Sequence, residues 1–170
     1  MTMREIKFWL APIGVAIGIS LFITVSVFAV RALGISSVQA ILPIIPYGVL
    51  AAMGTVLIMM WLPIFVSGIY YLGRRGAVGQ SEQLITQGIY RYVRNPMYSG
   101  VSLMLLGVGL VLNSAGVALA GVLWLATAFV QCKREEKELA ERFGEAYIEY
   151  KNSTSLFVPD FVKMLKSLKR

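Results

Sequence analysis

The sequence predicts an all-α integral membrane protein with four transmembrane helices, the last continuing into a cytosolic amphipathic helix. Three observations predict it. Hydrophobic residues make up 57% of the chain and charged residues only 15%, far from the soluble average. The apolar residues gather in charge-free runs long enough for a bilayer core of about 30 Å, which takes about 20 helical residues to cross. Every Lys and Arg except Arg31 lies before residue 8, between residues 73 and 96, or after residue 131. The positive-inside rule puts those three regions on one side of the membrane.

The elements follow in chain order. Phe8 to Val30 is 23 residues without a charge. It is longer than a signal-peptide apolar core and lacks a small-residue cleavage motif, so it reads as a retained first span over about 8–30. Pro43 and Pro46, with Gly34 to Ser37, break helix, which makes 32–46 an uncharged connection dipping towards the interface. A second span is expected over 47–72, kinked at Pro63, with Trp61, Tyr70 and Tyr71 as interfacial rings. A polar loop, 73–96, carries Arg74, Arg75, Glu82, Arg91 and Arg94. Residues 97–113 and 115–131 form a tight hairpin turning at Asn113-Ser114. Gly100, Gly107, Gly109, Gly116 and Gly121 allow the close backbone approach that membrane helices use in place of hydrophobic drive.

After Gln131 the pattern becomes amphipathic. Leu139, Phe143, Tyr147 and Tyr150 recur at helical spacing, Gly144 weakens this helix, and Asn152 to Ser155 end it. Residues 156–170, with Pro159 and a basic end, are expected on the membrane surface. The whole chain, 1–170, then forms one multi-pass membrane domain, with both termini, the 73–96 loop and the 132–170 helix and tail in the cytosol.

The composition also excludes classes of function. With no histidine and one cysteine, Cys132, there is no histidine metal site, Ser-His triad, histidine base or internal disulfide. No metal is expected. The net charge of +7 is spread over the flanks of apolar runs rather than set on one face among aromatics, so the expected partners are membrane lipids and not nucleic acid.

Chemistry is expected in Leu84 to Tyr98, where Gly, Arg, Asn, Pro and Tyr crowd between apolar runs. Asn95-Pro96 has a structural reading, an N-cap followed by proline at the first helical position. The same helix N-terminus, with Arg91 and Arg94 near it, also suits an anionic group.

Gly88-Ile-Tyr90, Arg94-Asn-Pro-Met-Tyr98, the glycine-rich hairpin, Arg134-Glu-Glu136, Phe143-Gly144, Tyr147 and Tyr150 together resemble the isoprenylcysteine carboxyl methyltransferases and their phospholipid methyltransferase relatives. The resemblance covers about residues 82–159. It implies an integral membrane enzyme that uses S-adenosylmethionine in a cytosol-facing pocket and methylates a lipophilic acceptor. It further implies that Gln83, Leu84, Ile85, Tyr90, Asn95, Pro96, Met97, Tyr98 and Glu135 line the cofactor pocket. Arg94, Asn95, Tyr98 and Glu136 take catalytic roles, and Gln131 and Arg134 face the substrate.

These roles suit the residue types. Tyr90 or Tyr98 can stack on adenine, a carboxylate can accept from ribose hydroxyls or the amino group, and Arg91 or Arg94 can bind the methionine carboxylate. The helical wheel sets Glu136 nearer the apolar stripe than Glu135, whereas alignment from Phe143-Gly144 favours Glu135, so the acidic contact is either one. Asn95 stands where many members carry histidine, and Gln131 where eukaryotic members carry an arginine, with Arg134 one turn later. An NADPH-dependent sterol reductase-like relative shares the C-terminal pattern. A non-enzymatic scaffold would leave the Glu/Lys alternation of 133–145 as a solvated face.

Overall fold

A computed structural model describes residues 3–76 and 84–168. Among the described residues the chain is all-helical: α1 (Met3–Ala32), α2 (Val38–Ile41), α3 (Tyr47–Gly76), α4 (Pro96–Val111), α5 (Ala115–Phe143), α6 (Glu145–Ser153) and α7 (Phe161–Leu168), with a 3₁₀ turn at Gly88–Arg91. Among the described residues two helices are long and apolar enough to cross a membrane, Tyr47–Gly73 and Ala115–Phe143, while Ala16–Ala32 and Pro96–Val111 are shorter apolar helices. The 29 residues of α5 make about 43 Å at 1.5 Å per residue. The charged segment after Gln131 takes about 18 Å of this and leaves about 25 Å, a little under the roughly 30 Å hydrocarbon core.

The described residues divide into two compact units, Met1–Leu62 with Val101–Trp124, and Pro63–Gly100 with Leu125–Arg170. In the first, α1 and α4 stop by the same device. Gly34, at φ 75°, follows α1; its N–H donates to Arg31 and the N–H of Ile35 reaches back to Val30. Asn113, at φ 49°, follows α4 with the same pair of bonds, to Leu110 and, from Ser114, to Gly109. Both are Schellman closures, which need a left-handed residue and so favour Gly or Asn. Ser114 then caps α5, its Oγ accepting from the Val117 N–H at 3.4 Å. The Asn113 Oδ1 accepts from the Gln39 N–H at 2.9 Å, which ties α2 to the hairpin turn.

The hairpin glycines serve more interfaces than the hairpin. A Cβ at Gly109 would meet Ala118 backbone, and one at Gly121 would lie 2.6 Å from the Leu106 nitrogen, both between α4 and α5. Gly107 faces Gly54 and Ile58 of α3, and Gly116 faces Val27 of α1. In the second unit Gly100 admits Phe65 of α3, whose Cβ would lie 2.7 Å away. Small residues thus let α1, α3, α4 and α5 approach at backbone distance.

Two glycines shape the helices further. Non-helical backbone in α3 occurs at Gly73 (φ 62°, ψ −174°), and Pro63 lies inside the helix. Proline's fixed φ is itself helical, whereas glycine alone enters the left-handed region without steric cost. Gly144 does more than weaken the amphipathic helix: at φ 55° it divides the segment into α5 and α6.

Candidate active site

The second unit carries the polar stretch. Gly88, at φ 58°, opens the 3₁₀ turn with the Tyr71 ring where a Cβ would stand. The turn closes through Tyr90 N–H to Gln87 at 3.1 Å and Tyr92 N–H to Ile89 at 3.0 Å. Residues 93–95 then run beside the chain that follows α6: Val93 bridges to Ser155, Arg94 N–H donates to Ser155 at 2.8 Å, and Asn95 N–H to Leu156 at 3.1 Å. Tyr150 adds a hydroxyl bond to the Tyr90 carbonyl at 2.8 Å. The stretch before α4 is therefore held from its far side by the C-terminal segment.

Arg94 is the centre of this arrangement. Its Nη2 donates to Glu136 Oε1 at 2.7 Å, with the two side chains only 10% and 5% exposed. Its Nη1 donates to the Lys151 carbonyl at 2.6 Å and to the Thr154 carbonyl. Glu136 Oε2 receives Lys151 Nζ at 2.9 Å and Lys133 Nζ at 3.5 Å. One carboxylate thus joins the polar stretch, α5 and α6. Burial pushes the Glu136 carboxyl upward, but the Lys151 and Arg94 hydrogen bonds outweigh it and hold the group below its ordinary 4.5. Burial first, with the Glu136 charge second, pushes the neighbouring Tyr147 hydroxyl to about 12. Tyr90 and Tyr150 are also raised, chiefly by burial.

Glu135, one residue away, has a different environment. It is half-buried, and its Oε1 accepts from the Tyr98 hydroxyl at 2.7 Å and from Gln131 Nε2 at 3.3 Å. Among the described residues its Oε2 forms no hydrogen bond. Asn95 precedes Pro96, the first residue of α4, and stands at the N-cap position. Its carbonyl accepts from the Ser99 N–H and from Ser99 Oγ, each at 3.2 Å. Its side-chain amide forms no bond among the described residues, so the capping bond expected from it is not made. Arg94 Nε is likewise buried without a partner.

A family model described as phospholipid methyltransferase matches residues 49–146, more than half of the chain. The chain belongs to the phospholipid methyltransferase family. It is also similar to Protein-S-isoprenylcysteine O-methyltransferase B of Arabidopsis thaliana, 32% identical over 82 residues. That match takes in 47% of this chain and 41% of the plant protein, so the chain spans less than half of that relative's length.

Within the phospholipid methyltransferase match lie Glu135, Glu136, Tyr98 and the whole polar stretch, whereas Lys151 and Thr154 fall beyond it. Of the residues singled out in the sequence, Arg94 meets Glu136, and Tyr98 and Gln131 meet Glu135. Tyr90 is buried, its hydroxyl donating to the Gly68 carbonyl at 3.4 Å, and Pro96 is fully buried beside Gly68. Met97, Leu84 and Ile85 are half-buried, Gln131 and Arg134 are exposed, and Gln83 lies outside the described residues. The described residues hold no cluster fit for a metal ion. Lys151, Lys133 and the carbonyls of Lys151 and Thr154 were not evident from sequence. The available signal was spacing, since Tyr147 and Lys151 are one helical turn apart and continue the Leu139/Phe143 stripe.

Proposed function

We propose that this protein transfers a methyl group from S-adenosylmethionine to a lipophilic acceptor, a prenylcysteine-like carboxylate or a lipid head group, at the cytosolic face of a membrane. In this reading the chain is one membrane domain crossing four times, by α1, α3, α4 and α5 as far as Gln131, with both termini cytosolic. Glu135 carries the proposal: among the described residues one oxygen is held by Tyr98 and Gln131 and the other forms no hydrogen bond, and it lies inside the family match.

The residues fit the cofactor's polar groups. Its ribose hydroxyls and amino group need an acceptor, which Glu135 Oε2 provides. Its carboxylate needs a donor, which the half-buried Asn95 amide provides. Leu84, Ile85, Met97 and the Tyr98 ring are half-buried apolar surface for adenine. When bound, the cofactor supplies an electrophilic methyl on its sulfonium.

The chain's own part is positioning. The three bonds of Glu136 and the carbonyl bonds of Arg94 fix the Asn95-Pro96 turn, and Tyr98 fixes the Glu135 rotamer. Of the two acidic residues we therefore assign Glu135 to the cofactor. Glu136 and Arg94 hold the site in shape. Gln131 and Arg134, exposed at the start of the charged half of α5, face the acceptor. A carboxylate acceptor is already ionised and needs no base, whereas an ammonium head group loses a proton first.

Calorimetric titration of detergent-purified protein with S-adenosylhomocysteine tests the assignment. The expected result is micromolar binding, reduced at least tenfold by Glu135→Ala and by Asn95→Ala in folded variants. No binding by folded wild type in several detergents would overturn the reading. Alkali treatment of a methylated product separates the two acceptors, since a methyl ester releases methanol and an N-methyl group does not.

A further inference from the structure

The segment after α6 is joined to the polar stretch by one face and presents apolar side chains on the other. Asp160 caps α7, its Oδ1 accepting from the Lys163 N–H at 2.9 Å. Asp160 N–H donates to the Tyr92 carbonyl at 3.0 Å. Lys163 Nζ donates to the carbonyls of Arg91 at 3.1 Å and Ser153 at 3.4 Å. The Tyr92 hydroxyl meets Ser167 Oγ at 2.6 Å. Lys163 and Ser167 are one turn apart, so a single polar stripe of α7 lies against residues 91 and 92, two residues before Arg94.

The opposite stripe is apolar and outward-facing. Val162 and Leu165 are each 62% exposed, and Val158, just before the helix, is 55% exposed. In water three exposed aliphatic side chains within eight residues are a liability. Charge names the occupant: residues 160–170 hold Lys163, Lys166, Lys169 and Arg170 against Asp160 alone, four positive and one negative, net +3. An amphipathic helix with a basic polar side suits an anionic lipid surface, its apolar stripe at the level of the acyl boundary.

We propose that α7 is an interfacial anchor, inserting Val158, Val162 and Leu165 among anionic lipid head groups and so holding the Arg91–Asn95 stretch at that depth. This rests on the reading that the chain spans a bilayer, and goes beyond it in giving the C-terminal helix a lipid partner and a mechanical link to the site.

The test uses full-length protein in nanodiscs of phosphatidylcholine, with and without phosphatidylglycerol. Cys132 is 1% exposed, so a new cysteine at Leu165→Cys takes an environment-sensitive fluorophore selectively. Met59→Cys, at a position 70% exposed on α3, serves as the bilayer control. We expect blue-shifted emission at position 165, quenched more by nitroxides near the head group than by those deep in the acyl chain, and strengthened by phosphatidylglycerol at low salt. Emission at position 165 as in water, with lipid quenching at position 59, would overturn the anchor and leave the spanning reading standing. Absence of lipid quenching at both positions would overturn both. A blue shift at position 165 that follows protein concentration and ignores lipid nitroxides would mark a contact between copies and also overturn the anchor.

Discussion

Neighbouring glutamates on α5 have opposite chemical situations. Glu136 is nearly buried and both of its oxygens are paired, so removing it leaves Arg94 buried and uncompensated. Glu136→Gln is expected to cost about 3 kcal/mol, in the range for breaking a buried pair, read as a lowered thermal midpoint in detergent. Glu135→Gln is expected to cost well under 1 kcal/mol by the same measurement, because its side chain is half-exposed, while impairing cofactor binding. The Glu136 shift sets a pH dependence. Its folded value lies below the ordinary 4.5, so its stabilisation is complete above pH 4.5 and lost as pH falls through the folded value. Thermal midpoints of wild type should therefore drop towards those of Glu136→Gln as the pH falls below 4.5; parallel curves there would contradict the pairing. Sequence alone brought Arg94 and both glutamates into view but not their pairing. A helical wheel ranks 135 and 136 by face, whereas the difference lies in Lys151 and two carbonyls from a segment some sixty residues after Arg94.

Element ends were the most legible feature at the next scale. Charge-free runs bounded by Arg31 and Arg74, the prolines before Tyr47 and the Asn113-Ser114 turn predicted α1, α3 and the hairpin to within a few residues. What escaped was decided by backbone conformation at single glycines. Gly144 terminates α5 because a left-handed residue cannot continue a right-handed helix, and Gly73 interrupts α3 near its end. Gly88→Ala combines two costs, about 1–2 kcal/mol for a side chain at positive φ and a clash with the Tyr71 ring. Adding Tyr71→Ala should recover the clash and leave the backbone cost. Equal stability of Gly88→Ala and wild type would contradict the local geometry. Gly144→Ala, with open space around its Cβ position, should lose only the backbone part, about 1–2 kcal/mol.

At the scale of the whole molecule, the distribution of Lys and Arg makes a topological prediction. Ile44, 93% exposed in the connection before α3, and Glu141, exposed in the charged half of α5, should lie on opposite sides of the membrane. In sealed vesicles of known orientation, an impermeant maleimide should label Ile44→Cys only from the external side and Glu141→Cys only from the cytosolic side. Labelling of both from one side would contradict four spans. The all-helical architecture was legible because hydropathy dominates this composition. The joining of the polar stretch to the C-terminal segment was not, because hydrogen bonds between distant backbone groups leave no periodic trace. The central claim, methyl transfer to a lipophilic acceptor, is tested most directly by incubating the protein in native lipid with tritiated S-adenosylmethionine and counting the organic-extractable fraction. The account predicts protein-dependent label there, reduced at least tenfold by Glu135→Ala. Label that never exceeds the protein-free control, or that a folded Glu135→Ala variant transfers at the wild-type rate, would contradict it.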